Sequence, residues 1–338
     1  MSALGVRNPL AVCHRRPYAW VVTTTDTPTG AGPAPEPAAT PSRTIAPPSR
    51  TWLPLAAVAL TLVLWASAFV GIRHLGETVP PGTLSLARLL VMAAALLALL
   101  KGRLPRVPSR REWPLVLAGG ASWFGVYNLA LNESERRIDA GTAALIIQIG
   151  PILVGLLATI LLGERMTRWL LIGMAVGFAG VAVIGTGSSQ GENGDLVGVL
   201  LSVVAALTFA IGVLTQKKLL ATMRPLELTF WYAVVGTVVC LPWAGEAYDV
   251  LGEASYDTLG WILYLGVLPS AVAFVAWAYA LSHADAGKFA QSTFLVPFIA
   301  SLMAWLLLDE VPPPLAFVGG VMCIAGVLLA RRTPRPVS

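Results

Sequence analysis

From Trp52 to Ala330 the chain is a succession of apolar stretches separated by short polar or Pro/Gly-rich punctuation. A helix needs about 20 residues to cross a hydrocarbon layer about 30 Å thick. Inside that layer every backbone N–H and C=O must be bonded within the protein. The pattern therefore restricts this chain to a bundle of membrane-spanning helices. The sequence places them near 53–72, 82–100, 114–132, 141–161, 169–186, 195–215, 227–243, 260–281, 287–307 and 314–330. Composition agrees: charged residues are 12% of the 338, whereas water-soluble domains carry about 25%.

Residues 1–50 differ from the rest. Between Thr23 and Arg50 the chain is rich in Thr, Ala, Ser and Pro, with Pro33, Pro35, Pro37, Pro41, Pro47 and Pro48. Such a stretch cannot bury enough apolar surface to offset its ordering entropy, so a disordered tail is expected. The first 22 residues lack a long apolar core before a small-residue cleavage site, which argues against a signal peptide.

Charge sets the expected orientation. With a cytoplasmic N-terminus, the inside connections and the tail 331–338 hold 14 Lys and Arg residues, among them Arg103, Arg106, Arg110, Arg111, Arg165, Lys217 and Lys218. The outside connections hold three: Arg73, Arg136 and Arg137. Cytoplasmic loops carry this excess, so both termini are expected inside a plasma or inner membrane. The net charge of +5 thus follows the bilayer and gives no reason to invoke nucleic acid. The acidic segment Gly245–Asp257 reads as a long outside loop. Three scattered cysteines and three histidines form no metal-ligand spacing, and no nucleotide-binding loop is present. No metal or cofactor is expected.

The strongest pattern is internal. Shifting residues 139–182 by 146 positions lays them on 285–328 without a gap: Asp139-Ala140-Gly141 on Asp285-Ala286-Gly287, Pro151 on Pro297, Glu164 on Glu310 and Gly173 on Gly319. A shift of 144 places Pro81 on Pro225 and Arg73 on Lys217. The expected fold is all-α, with ten transmembrane helices in two five-helix repeats, 53–186 and 195–330. Because each repeat has an odd number of spans, the second enters the membrane from the opposite side. Inverted repeats are a recurring architecture of secondary transporters, whose substrate site lies near the midplane between the halves.

The segments "DAGTAALIIQIGPILVGLLATILLGE" and "GMAVGFAGVAVIG" of the first copy resemble the EamA domain of the drug/metabolite transporter superfamily. So do "DAGKFAQSTFLVPFIASLMAWLLLDE" and "GGVMCIAGVLLA" of the second, with "LWASAFVGIR" and "PGTLSLARLL" near the start. The resemblance implies a ten-helix inverted-repeat fold and export of amino acids, related metabolites or drugs. This chain has Tyr232 opposite Arg88, so any role of that arginine is not duplicated.

Several residues are candidates for chemistry. Arg88 is an intramembrane charge, costly at depth; it reads as a counter-charge for a substrate carboxylate or as an arginine bonded to span-end carbonyls and headgroups. Pro151 and Pro297 lack the N–H that would bond the carbonyls of Ile147 and Thr293, with Gln148, Gln291, Ser292 and Thr293 nearby; they read as hinges or as tolerated kinks. Trp65, Trp123, Tyr127, Asn128, Trp277 and Tyr279 line a cavity or serve helix packing. Glu164 and Glu310 cap the helix that follows each or couple protons. Gly173, Gly177 and Gly180, matched by Gly319, Cys323 and Gly326, permit close helix approach, within the bundle or in a homodimer. The leading function is a secondary transporter, an exporter of a small metabolite. An intramembrane enzyme acting on lipid or prenyl phosphates, or a non-transporting scaffold, are the alternatives. The enzyme would need a cluster of titratable residues at one membrane level, which the spans do not supply.

Overall fold

The structure, a computed structural model, describes residues 52–76, 78–101, 103–138, 146–188, 195–308 and 314–332. Among the described residues there is no strand. The chain opens with α1 (Trp52–Leu75) and α2 (Pro81–Leu99). Proline at the first position of α2 loses no intrahelical bond there and presets the helical φ. The next rod has three parts: α3 (Trp113–Gly119), a π-helical segment (Gly120–Val126) and α4 (Tyr127–Glu135). Then come α5 (Ile149–Leu161), α6 (Arg168–Ser188) and α7 (Leu196–Leu219). Next, α8 (Pro225–Cys240) runs through a 3₁₀ turn (Leu241–Trp243) into α9 (Ala244–Gly252). A second three-part rod follows, α10 (Tyr256–Leu265), a π segment (Gly266–Val272) and α11 (Ala273–Ser282). The chain ends with α12 (Ala286–Ala290), a 3₁₀ segment (Gln291–Leu295), α13 (Val296–Leu308) and α14 (Pro314–Ala330).

Among the described residues, five helical stretches are long and apolar enough to cross a membrane: Pro81–Leu99, Trp113–Ser134, Leu196–Leu219, Pro225–Gly252 and Tyr256–Ser282. Shorter apolar helices accompany them. Large apolar side chains such as Leu90, Ile160, Leu200 and Leu328 point outward, whereas Thr61, Arg88, Gln148, Gln216 and Gln291 are buried. Polar groups turned inward and apolar ones outward suit a hydrocarbon solvent.

The two π segments begin at Gly120 and Gly266 and end at Val126 and Val272, the same 146-residue spacing as the sequence repeat. Widening of a turn leaves carbonyls to satisfy. In the first, Asn128 Nδ2 donates to the carbonyl of Phe124 at 2.9 Å. In the second, Pro269 lacks an N–H and Ser270 Oγ donates to the carbonyl of Leu265 at 2.8 Å.

Helices α6 and α14 pack closely and run antiparallel. A Cβ added to Gly173 would lie 2.5 Å from the carbonyl of Gly326, and one added to Gly180 would lie 2.6 Å from that of Gly319. Positions rise along one helix as they fall along the other. The glycine stripe therefore serves packing inside this chain, where only residues without a side chain let two backbones meet.

Two expectations are revised, and a third is untested. The acidic segment Gly245–Asp257 is largely helix α9; Glu246 sits in its first turn, where a carboxylate is favoured, and accepts from Thr83 Oγ1 at 2.9 Å. Pro151 and Pro297 do not kink continuous helices. Each lies in the first turn of an α-helix, α5 and α13, just past a break at Gln148 or at Gln291–Leu295, where a missing N–H costs least. The proline-rich tail lies outside the described residues.

Candidate functional site

Arg88 is on the inward face of α2, 9% exposed, and its Nη2 donates to Ser270 Oγ at 3.4 Å. Ser85, Arg88, Leu89 and Met92 from α2, Phe124 and Asn128 from the first three-part rod, and Ser270 and Phe274 from the second enclose a cavity of about 10 Å³. That is room for about one water molecule. Asn132, one helical turn past Asn128, donates to Ser85 Oγ at 3.0 Å. Asn128, just past the first π segment, and Ser270, within the second, thus line the same cavity as the arginine.

Phe124 and Phe274, whose rings are 4.6 Å apart, also border an aromatic cluster. Trp65 of α1 lies 4.9 Å from Trp277 of α11 and 5.2 Å from Phe274. Trp123 stands edge-on to Phe274 at 5.1 Å and to Phe209 of α7 at 5.3 Å, and Phe289 of α12 closes on Trp277 at 4.4 Å. Tilted and edge-on contacts at these distances are favourable ring arrangements. The indole N–H groups of Trp65 and Trp277 are buried and have no hydrogen-bond partner in the protein. A buried donor left in this state costs about 1–3 kcal/mol, so both are poised for an acceptor.

A second polar set joins α5 to the α12–α13 rod. Gln148 Nε2 donates to the carbonyl of Thr293 at 3.2 Å. Gln291 Nε2 donates to the carbonyls of Pro151 and of Gly287, both at 2.9 Å. Glu164 accepts from the backbone N–H of Ala286 at 2.6 Å and of Gly287 at 2.9 Å. The capped backbone is thus not that of α6, as the sequence suggested; Thr167 Oγ1 takes that place by accepting from Leu170 N–H at 3.1 Å. The carboxylate reaches past its own helix because Asp285-Ala286-Gly287 starts an element packed against α5. Its sequence counterpart Glu310 lies outside the described residues.

Of the sequence candidates, Arg88 and Asn128 meet at the cavity, and Trp65, Trp123 and Trp277 meet in the aromatic cluster. Tyr127 reaches the edge of that cluster, 6.3 Å from Phe209. Gln148, Gln291 and Thr293 form the α5 junction. Tyr279 is apart, its ring tilted against His283 at 4.6 Å beyond the cluster. Sequence reasoning missed Ser85, Ser270, Phe209, Phe274 and Phe289, which carry no charge or motif; only the 146-residue spacing, which puts Ser270 opposite Phe124, pointed toward one of them. An open groove of about 570 Å³, walled by Ser67, Tyr256, Asp257, Trp261, Tyr264 and Met303, was also unforeseen. Ser67 Oγ and Tyr264 OH are hydrogen-bonded in it at 2.7 Å.

Comparison with known proteins places this arrangement. The model of the EamA-like transporter family matches twice, over residues 52–186 and 196–332. A protein of Streptantibioticus cattleyicolor described as a probable terminal-alkyne amino-acid exporter is 39% identical over 82% of this chain and 92% of its own length. One of Escherichia coli described as a probable amino-acid metabolite efflux pump is 28% identical over 80% of this chain and 92% of its own. A crystal structure superposes with a TM-score of 0.69, covering 84% of this chain and 97% of the other at 20% identity, a likeness of fold. Two matches of one family model across an apolar helical bundle make this chain a multi-pass membrane protein that belongs to the EamA-like transporter family, in the drug/metabolite transporter superfamily.

Proposed function

We propose that this protein is a secondary transporter that exports small carboxylate-bearing metabolites such as amino acids. Ten spans, in two inverted repeats covering 53–186 and 195–330, rock against each other to expose a central site alternately to each side. The observation that carries this reading is a buried guanidinium, Arg88, beside an aromatic cluster with two indole donors that no protein group uses. A charge at depth is expensive, and Ser85, Ser270 and Asn128 line the cavity that it borders. An amino acid fits this division, its carboxylate toward Arg88 and its side chain toward Trp65, Trp123 and Trp277.

The inverted arrangement has support from register. Equivalent helices of the two family matches meet antiparallel: Gly173 with Gly326 and Gly180 with Gly319 on α6 and α14, and Gln148 with Thr293 and Pro151 with Gln291 at the α5 junction. Both termini lie in the cytoplasm in this reading, as the Lys and Arg distribution requires. The relatives described as exporters of amino acids or their metabolites support the substrate class. The test is flux in proteoliposomes. Saturable movement of an amino acid, with no movement of the amine lacking its carboxylate, supports the reading; equal movement of both removes Arg88 from it.

A further inference from the structure

We propose that Glu164 is the latch of a gate between the two halves, closed in this structure. This rests on the alternating-access reading above. Glu164 lies in the first family match and Ala286 and Gly287 in the second. The carboxylate takes one backbone N–H on each oxygen, at 2.6 and 2.9 Å. Hydrogen bonds to an ionised group are about twice as strong as neutral ones. The neighbouring geometry fits that grip closely. A Cβ on Gly287 would stand 3.2 Å from Gly155 Cα and 3.3 Å from Glu164 Oε2, so a side chain there would push both α5 and the carboxylate back by about a few tenths of an ångström.

The latch acts on the elements that carry the centre of the bundle. Beyond it along the same junction lie the neutral bonds Gln291 to Pro151 and Gln148 to Thr293. Phe289, two residues past Gly287, packs on Trp277 of the aromatic cluster. Releasing Ala286 and Gly287 frees the start of α12 to leave α5, which opens a path from the Glu164 end toward that cluster. Ala158, fully buried one turn and a half before Glu164 on α5, lies along this path.

The test uses the full chain in lipid nanodiscs, where both faces meet the reagent and orientation does not matter. Ala158→Cys reports opening through its reaction rate with a charged maleimide, in a chain whose Cys13 is replaced by Ser and whose other cysteines, Cys240 and Cys323, are buried, alone and with Glu164→Gln or Gly287→Ala. Glutamine keeps the shape but offers one acceptor oxygen and turns an N–H₂ toward the second backbone N–H. Labelling is expected to rise about tenfold in both backgrounds, the factor equivalent to about 1.4 kcal/mol, with a melting temperature lowered by about a few degrees and the fold retained. Equal labelling in all three overturns the proposal. Loss of the folded state in both variants overturns it too, because a latch must leave the fold standing when it opens. Flux measured in liposomes with the same variants separates the two readings: no saturable transport by any of them, alongside raised labelling, removes the carrier and leaves the latch.

Discussion

Gln148 Nε2 donates at 3.2 Å to the carbonyl of Thr293, which also accepts the backbone N–H of Val296 in the 3₁₀ turn that precedes Pro297. A side chain from one family match thus adds a second bond to a backbone carbonyl of the other, one turn before a proline that can add none.

This relationship is testable by a double-mutant cycle. Gln148→Leu removes one of the two bonds to the buried carbonyl and is expected to lower stability by about 0.5–1.5 kcal/mol. Pro297→Ala returns an N–H to the rod, so Gln148→Leu made in that background is expected to cost much less. Thermal melts of the four proteins measure the coupling; strictly additive effects would show that Thr293 does not depend on Gln148.

Much of this molecule is legible in its sequence, for identifiable reasons. Spans are set by apolar length, which is local, and the repeat is set by identity at fixed spacing. Arg88 stands out because one charge in an apolar run has few explanations. The partners of these residues were not legible. Glu164 was expected to cap the neighbouring helix because caps are usually local; its partners are instead 122 and 123 residues away. Tyr279 shared its helix with Trp277, but a two-residue step turns it to a different face. Ser270 had no signal of its own until Pro269 widened the turn that presents it.

The indole donors of Trp65 and Trp277 give a sharper test of the site than deletion would. Phenylalanine keeps an aromatic ring and removes an N–H that has no protein partner. Trp65→Phe and Trp277→Phe are therefore expected to lower melting temperature only modestly, the lost packing being partly offset by removal of the unpaired donor, while substrate KM rises up to about tenfold, the value of one neutral hydrogen bond. A melting temperature that falls with no change in KM would assign both rings to packing alone.

Close packing of α6 on α14 predicts a strong size dependence. Gly326→Ala places a methyl 2.5 Å from Gly177 N and 2.7 Å from the carbonyl of Gly173. Backbone cannot yield as a side chain can, so destabilisation of at least about 1–3 kcal/mol is expected. Gly252→Ala, where a Cβ meets nothing, is the matched control. Urea or thermal unfolding in a defined detergent reads the difference, and equal stability of the two variants would refute the packing argument.

A pH test addresses the connection before α3. Hydrogen bonds from Thr222 Oγ1, then from Ser109 N–H and Arg106, hold the Glu112 carboxyl down to about 2 from its ordinary 4.5. Because the folded value is the lower one, this stabilisation is complete above about 4.5 and is lost as pH falls toward 2. Glu112→Gln is expected to melt below the wild type at pH 7, with the gap closing as pH drops through 4. A gap independent of pH would show that the network does not depend on the charge.

The most direct test of a two-sided carrier built around Arg88 is counterflow. Liposomes holding the purified protein are preloaded with an unlabelled amino acid, and entry of the labelled one is followed at equal electrochemical potential. The account predicts that preloading accelerates entry severalfold and that Arg88→Gln, folded as judged by its melt, abolishes both entry and acceleration. Entry that ignores the contents of the vesicle, or that survives loss of the arginine intact, would contradict it.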